Sequence, residues 1–254
     1  MRLGLLALNL RVNQIITKDA TMTYKKSGIK VLAACVGLTA LLNWSGSAQT
    51  YIYNNSVNDL KFRFNPGALQ VGDEIIVAGG PGQFLTRFTF EFYGTNNVAL
   101  GGAFTGPVQA QVRFYQNNGP LFNGYPTPGT MFYNSGLFAV PTTDAFGRAT
   151  FDFQAGTDFP NGGLFLPDAD FTWSVQFSGM LLTDEVGVDI YDPVVVGANY
   201  PDYWENSGGS WSLKTNIVNM NFAATMETPE PSSVALMVLG GFGVLYAVRR
   251  GRRQ

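Results

Sequence analysis

The sequence predicts an all-β body: a single antiparallel β-sandwich, jelly-roll-like, flanked by an N-terminal signal helix and a C-terminal transmembrane helix. Three observations carry this reading. Apolar and aromatic side chains recur with a two-residue period along the middle of the chain, which places them on one face of a sheet. Clusters of Gly, Pro, Asn and Ser punctuate those runs. No apolar repeat of 3.6 residues interrupts them, and no repeat of 20 to 50 residues suggests a propeller or solenoid.

In chain order, Leu60, Phe62 and Phe64 alternate with Lys61 and Arg63. Phe84, Phe88, Phe90 and Phe92 share one parity, and Arg87, Thr89 and Glu91 the other. Val108, Ala110, Val112 and Phe114 alternate with Gln109, Gln111 and Arg113. Asp144-Ala145-Phe146-Gly147 reads as a turn that opens a strand through Ala149, Phe151 and Phe153. Trp173, Val175 and Phe177 then alternate with Thr172, Ser174 and Gln176, and Val218, Met220 and Phe222 with Asn219 and Asn221. Between them lie turns such as Asn117-Asn118-Gly119-Pro120, Pro126-Thr127-Pro128-Gly129 and Asn161-Gly162-Gly163. Gly94 to Pro107 and Tyr191 to Ser212 read as the longest loops, where a site would belong.

The two ends differ from the body. From Met22 the chain runs through Lys25, Lys26 and Lys30 into twelve uncharged, mostly apolar residues, Val31 to Leu42, and then Asn43 to Ala48. A basic region, a short apolar region and small residues at Gly46 and Ala48 describe a secretory signal peptide cleaved after Ala48. The expected division is an upstream extension over 1–21, the signal peptide over 22–48, the β body over 49–228 and a tail over 229–254. A competing reading makes Leu32-Ala33-Ala34-Cys35 a lipobox with a lipidated Cys35. The apolar run continues past Cys35 to Leu42, whereas such a run should end before its cleavage site.

The tail reads Pro229-Glu230-Pro231-Ser232-Ser233, then fifteen uncharged residues from Val234 to Val248, then Arg249, Arg250, Arg252 and Arg253 around Gly251. Fifteen residues of helix cover roughly 22 Å, short of a hydrocarbon core about 30 Å thick. Gly240, Gly241 and Gly243 suit a membrane helix better than a water-facing one. The terminal arginines hold the C-terminus on the cytoplasmic side. These three features, in this order, resemble the PEP-CTERM sorting signal of Gram-negative bacteria. That resemblance implies an exosortase in the inner membrane that recognises the tail and cuts near Pro229, Glu230 and Pro231, releasing the body toward the cell surface or exopolysaccharide.

Composition narrows what the body can do. Between Gln49 and Thr228 six basic residues face sixteen acidic ones, a net charge of −10, whereas the whole chain is −2. No basic stripe is available to neutralise phosphates, so nucleic-acid binding is excluded. The chain has no histidine, and its one cysteine is Cys35. Serine–histidine triads, cysteine nucleophiles and zinc sites built on His or Cys are excluded with them.

Three constellations remain. Tyr203, Trp204 and Trp211, with Tyr200, Asp202 and Glu205, carry the aromatic and polar groups that grip sugar rings, although aromatics also fill cores. Asp168, Asp170, Asp184, Glu185, Asp189 and Asp192 are hard oxygen ligands, but their spacing fits no EF-hand loop. Paired carboxylates are the remaining acid and base for glycoside hydrolysis. The reading favoured by the sequence is a non-enzymatic exported surface or matrix protein that needs no cofactor or metal, with exosortase, the inner membrane in transit and extracellular polysaccharide as partners. The alternative is a carbohydrate-active module.

Overall fold

The computed structural model describes residues 49–96, 102–143 and 147–229. The signal peptide, Cys35, Gly46, Ala48, Glu230, Pro231, the span from Val234 to Val248 and the terminal arginines lie outside the described residues. Eighteen strands follow in chain order. They are β1 (Gln49–Asn55), β2 (Asp59–Phe64), β3 (Gln70–Ile76), β4 (Gln83–Leu85), β5 (Arg87–Asn96), β6 (Gln109–Gln116), β7 (Leu121–Phe122), β8 (Tyr125–Pro126) and β9 (Met131–Asn134). Then come β10 (Phe138–Ala139), β11 (Ala149–Gln154), β12 (Leu164–Leu166), β13 (Asp170–Ser178), β14 (Asp184–Tyr191), β15 (Ala198–Asn199), β16 (Tyr203–Ser207), β17 (Ser210–Lys214) and β18 (Ala224–Pro229). Among the described residues there is no helix.

Two antiparallel sheets contain most of these strands. One has the order β1-β18-β5-β14-β2, with β11 also on β5; the other has the order β10-β6-β13-β3-β16-β17, with β9 on β6 and β15 on β3. Sequence neighbours are mostly not ladder neighbours. The chain passes from one sheet to the other, so each sheet mixes early and late strands.

Aromatic residues from both sheets meet in the interior. Phe88 and Phe90 of β5 lie 5.2 and 5.6 Å from the Trp173 ring of β13, and Phe88 meets Phe114 of β6 edge-on at 5.1 Å. Phe222 closes on the same indole at 5.7 Å. Edge-to-face and tilted pairs at these separations add about 0.5–1.5 kcal/mol each beyond the area they bury. The parity read from β5, β6 and β13 is the one that faces inward: Phe88, Phe90, Phe92, Ala110, Val112, Phe114, Trp173, Val175 and Phe177 are all buried.

Four expectations need correction. Phe84 does not continue the β5 face: it lies on β4, half exposed, paired with Phe165 of β12 in a separate two-stranded ribbon. Thr86 interrupts the run, its N–H donating to the Glu227 carbonyl and its carbonyl accepting from Ala155, so the parity restarts at Phe88. Leu60 is exposed because Lys61 adopts φ 57° and the β2–β14 register shifts at Tyr191. Residues 218–222 form no ladder strand; Phe222 meets Ile190 in an isolated bridge, Met220 N–H donates to the Pro201 carbonyl and the Asn221 carbonyl accepts from Tyr191 N–H, while side chains take the groups of Phe222, the Asp73 carboxylate accepting from its N–H and the buried Asn55 amide donating to its carbonyl and to that of Tyr191. Finally, the expected loop over 191–212 contains a hairpin, β16–β17, closed by Gly208 and Gly209 at φ 62° and 89°. Both central residues at positive φ match the tight turn that suits strand twist.

Trp173→Ala should lower the urea-unfolding free energy by about 3–5 kcal/mol, the range for deleting a large buried aromatic. Phe84→Ala should cost under about 1 kcal/mol, because half of that ring already faces solvent. Equal losses at the two positions would contradict the core boundary drawn here.

Candidate functional sites

The root of the tail is a corner of the first sheet. β18 pairs with β1 on one edge, Gln49 opposite Pro229, Thr50 opposite Thr228 and Tyr51 opposite Glu227. On its other edge Ala224 to Glu227 pair with Phe90 to Arg87 of β5. Arg87 ties three strands together at this corner. Its guanidinium donates from Nε and from one Nη to the two Asp152 oxygens on β11 at 2.9 and 3.0 Å, and it stands 3.4 Å from Glu227 on β18. Gln49, Thr86, Arg87, Gln154, Ala155 and Pro229 line a cleft of about 310 Å³ here. Pro229 is the last of the described residues of β18, and it is still paired, with Gln49. The prolines at 229 and 231 lack the N–H groups that a ladder uses.

The aromatic trio is split by the structure. Trp204 has no exposed surface, and its indole N–H donates to Glu74 at 3.0 Å. Tyr203 is buried with its ring 5.0 Å from Phe64. Neither offers a face to a sugar ring, because β16 runs in the ladder beside β3 and both side chains serve as packing. Trp211, on the edge strand β17, is half-buried and meets Tyr115 edge-on at 5.5 Å.

The carboxylates are dispersed in the same way. Asp184 accepts from the backbone N–H groups of Thr105, Gly106 and Leu181 and fastens two loops. Gly106 is required there, since a Cβ would stand 2.2 Å from the Gly179 carbonyl and 3.1 Å from this carboxylate. Asp189 pairs with Arg63, and burial, opposed by Arg63, pushes its carboxyl up to about 6. Asp192 accepts from Asn219 and Asn221. Among the described residues no three acids converge as a cation site.

Asp168 and Asp170 reach a different place, which the sequence reading did not assemble. With Glu74, Pro81, Asn117, Asn118, Pro126 and Ala169 they line a cleft of about 500 Å³. Gln116 donates to Asp168 and Asn117 to Asp170, and Glu74 lines the cleft beside them. Burial pushes the Glu74 carboxyl up to about 7, reinforced by the charges of Asp170 and Asp202 and opposed by the Trp204 N–H. Burial raises Asp170 and Asp202 as well. On the inner side of the same strand, Asp73 is wholly buried and raised well above the ordinary carboxylate range by that burial. A signal for it existed: Asp73 shares parity with Val71 and Ile75, an acid at an inward position.

The pH dependence follows from these shifts. Below pH 4.5 Glu74 is protonated in both states; between about 4.5 and 7 the folded chain keeps a proton that the unfolded chain has released. Asp73, Asp170 and Asp189 act in the same direction. Stability should therefore fall as pH rises from 5 to 8, with a lower melting temperature at pH 8, and Glu74→Gln should reduce that difference. A melting temperature that rises over this interval would contradict the assignment. EDTA should leave the melting temperature unchanged; a drop restored by calcium would show a cation site among these acids.

Comparison with known proteins bears on one end of the chain. No curated protein and no solved structure matches it. One family model does, the PEP-CTERM protein-sorting motif, over residues 227–253. The matched segment starts inside β18 and includes Pro229, Glu230, Pro231, the apolar run and the four terminal arginines. The chain thus carries at its C-terminus the sorting signal of an exported protein that an exosortase processes.

Proposed function

We propose that this chain is a non-enzymatic protein of the cell surface or extracellular matrix of a Gram-negative bacterium, structural or adhesive and associated with exopolysaccharide. The observation that carries the reading is the PEP-CTERM motif over residues 227–253, which starts within the last strand of the β body. The signal peptide brings the chain to the inner membrane, and Val234 to Val248 stalls there with Arg249, Arg250, Arg252 and Arg253 on the cytoplasmic side. A fifteen-residue span with three glycines holds a bilayer weakly, which suits a temporary anchor. The exosortase then removes the tail and frees the body.

The body's own features support a scaffold. Tyr203 and Trp204 are committed to packing, and four of its six basic residues, Arg63, Arg87, Arg148 and Lys214, stand in ion pairs with its acids. The net charge of −10 keeps such a body soluble and disfavours nonspecific contact with anionic surfaces. A glycan array probed with the exported form tests the polysaccharide association and separates it from a purely structural role.

In cells with an exosortase, mass spectrometry of the released protein should find a chain that starts at Gln49 and lacks its last twenty-odd residues. Glu230→Ala should leave an uncut, membrane-bound form. Recovery of Gln254 on the released wild-type protein would contradict tail removal.

A further inference from the structure

We infer that the fold itself sets the upstream limit of tail removal: the peptide bonds of β18, from Ala224 to Pro229, are held in a ladder and closed to a protease in the folded body, so the tail is cut after Pro229 and the released protein keeps a complete β18. This inference rests on the sorting reading above and adds to it the position of the cut. The matched motif starts at Glu227, so three of its residues, Glu227, Thr228 and Pro229, belong to the strand. A motif read from sequence alone leaves those bonds available.

The structure closes them. A protease takes its substrate as an extended segment whose backbone edge is free to pair with the enzyme. Ala224 to Glu227 are paired on both edges, with β1 and with β5, and Thr228 and Pro229 remain paired with Thr50 and Gln49. Freeing the strand would withdraw Met226 and Ala224 from the core and Glu227, 5 % exposed, from its place beside Arg87. Cleavage inside β18 must therefore wait for local opening, and its rate is scaled down by the population of the opened form. In the sequence, the prolines at 229 and 231 each lack an N–H that a ladder could use.

Gln49 to Tyr51 guard the end of β18. Gln49 is the first residue after the expected signal cleavage and pairs directly with Pro229, so the two processing points are cross-strand neighbours, although 180 positions separate them in sequence. The guard is an edge strand with exposed side chains at Gln49, Thr50 and Tyr51, so its hold on residues 227–229 is through the backbone.

Two measurements test this on the full chain. In exosortase-containing cells, the C-terminal residue of the released wild-type protein should be Pro229 or later. An end between Ala224 and Thr228 would overturn the inference while leaving tail removal intact, whereas an intact Gln254 would overturn tail removal and this inference with it. Separately, the purified full chain in detergent is treated with proteinase K and its C-terminal fragments are mapped by mass. Bonds after Pro229 should be cut at least about a hundredfold faster than bonds between Ala224 and Pro229. A Thr50→Pro, Tyr51→Pro double variant removes whichever of two successive amides faces β18. It should keep a cooperative melt and move the first cuts to between Glu227 and Pro229. Rapid wild-type cleavage within β18, or an unchanged cutting pattern in a folded double variant, would overturn the account of the guard.

Discussion

The double pairing of the last strand is the constraint on which the rest of this structure depends. β18 lies between the first strand of the body and β5, the strand whose Phe88 and Phe90 reach Trp173 across the interior. Until Ala224 to Pro229 are in place, β1 lacks its ladder partner and β5 has an open edge from Arg87 to Phe90. Contacts of such long sequence separation carry a loop-closure cost before they stabilise anything. Completion of the sheet therefore requires the chain as far as Pro229, and the sorting motif begins within that last strand, at Glu227. Folding and sorting share one corner.

The interior is built from aromatic rings rather than Leu-rich packing, and it tolerates polar groups at defined places. Asp73 and Asn55 do not sit in the core by accident of composition. They take the Phe222 amide and carbonyl, which have no ladder partner of their own because the chain crosses from the hairpin β16–β17 toward β18 there. A buried backbone group left without a partner costs on the order of 1–3 kcal/mol, enough to justify a buried side chain as its partner. The Asp73 carboxyl keeps its proton more readily in that surrounding, as Glu74 does on the opposite face of the same strand. One strand thus links the stability of the body to pH from both of its faces.

Much of this was legible in the sequence, and the failures have local causes. The two-residue period located the inner faces of β5, β6 and β13, because long strands with one buried face must keep their parity. It failed at Leu60, where a left-handed Lys61 inserts an irregularity, and at Phe84, where Thr86 ends one ribbon before the sheet begins. It failed again at residues 218–222, where Asn221 is buried along with Met220 and Phe222 and the segment meets β14 through an isolated bridge rather than a ladder. The β16–β17 hairpin did carry a signal, two glycines between short runs, which a loop-like density of Gly, Pro and Asn obscured. The sorting motif was readable because its order of proline, apolar run and arginine is local. Its position opposite Gln49 was not, since nothing local encodes a pairing across 180 residues. The acidic cleft was missed for the same reason: β3, the end of β6 and the start of β13 bring Glu74, Asn117 and Asp170 together only through the ladder.

The most direct test of the central claim compares two forms of the body in urea, one spanning Gln49 to Pro229 and one ending at Ala223, followed by tryptophan fluorescence. The account predicts a single cooperative transition for the longer form. The shorter form should show none, because it lacks the strand that joins β1 to β5. Cooperative unfolding of both at the same midpoint would show that β18 is an appendage, and that the sorting tail is joined to the fold rather than built from its last strand.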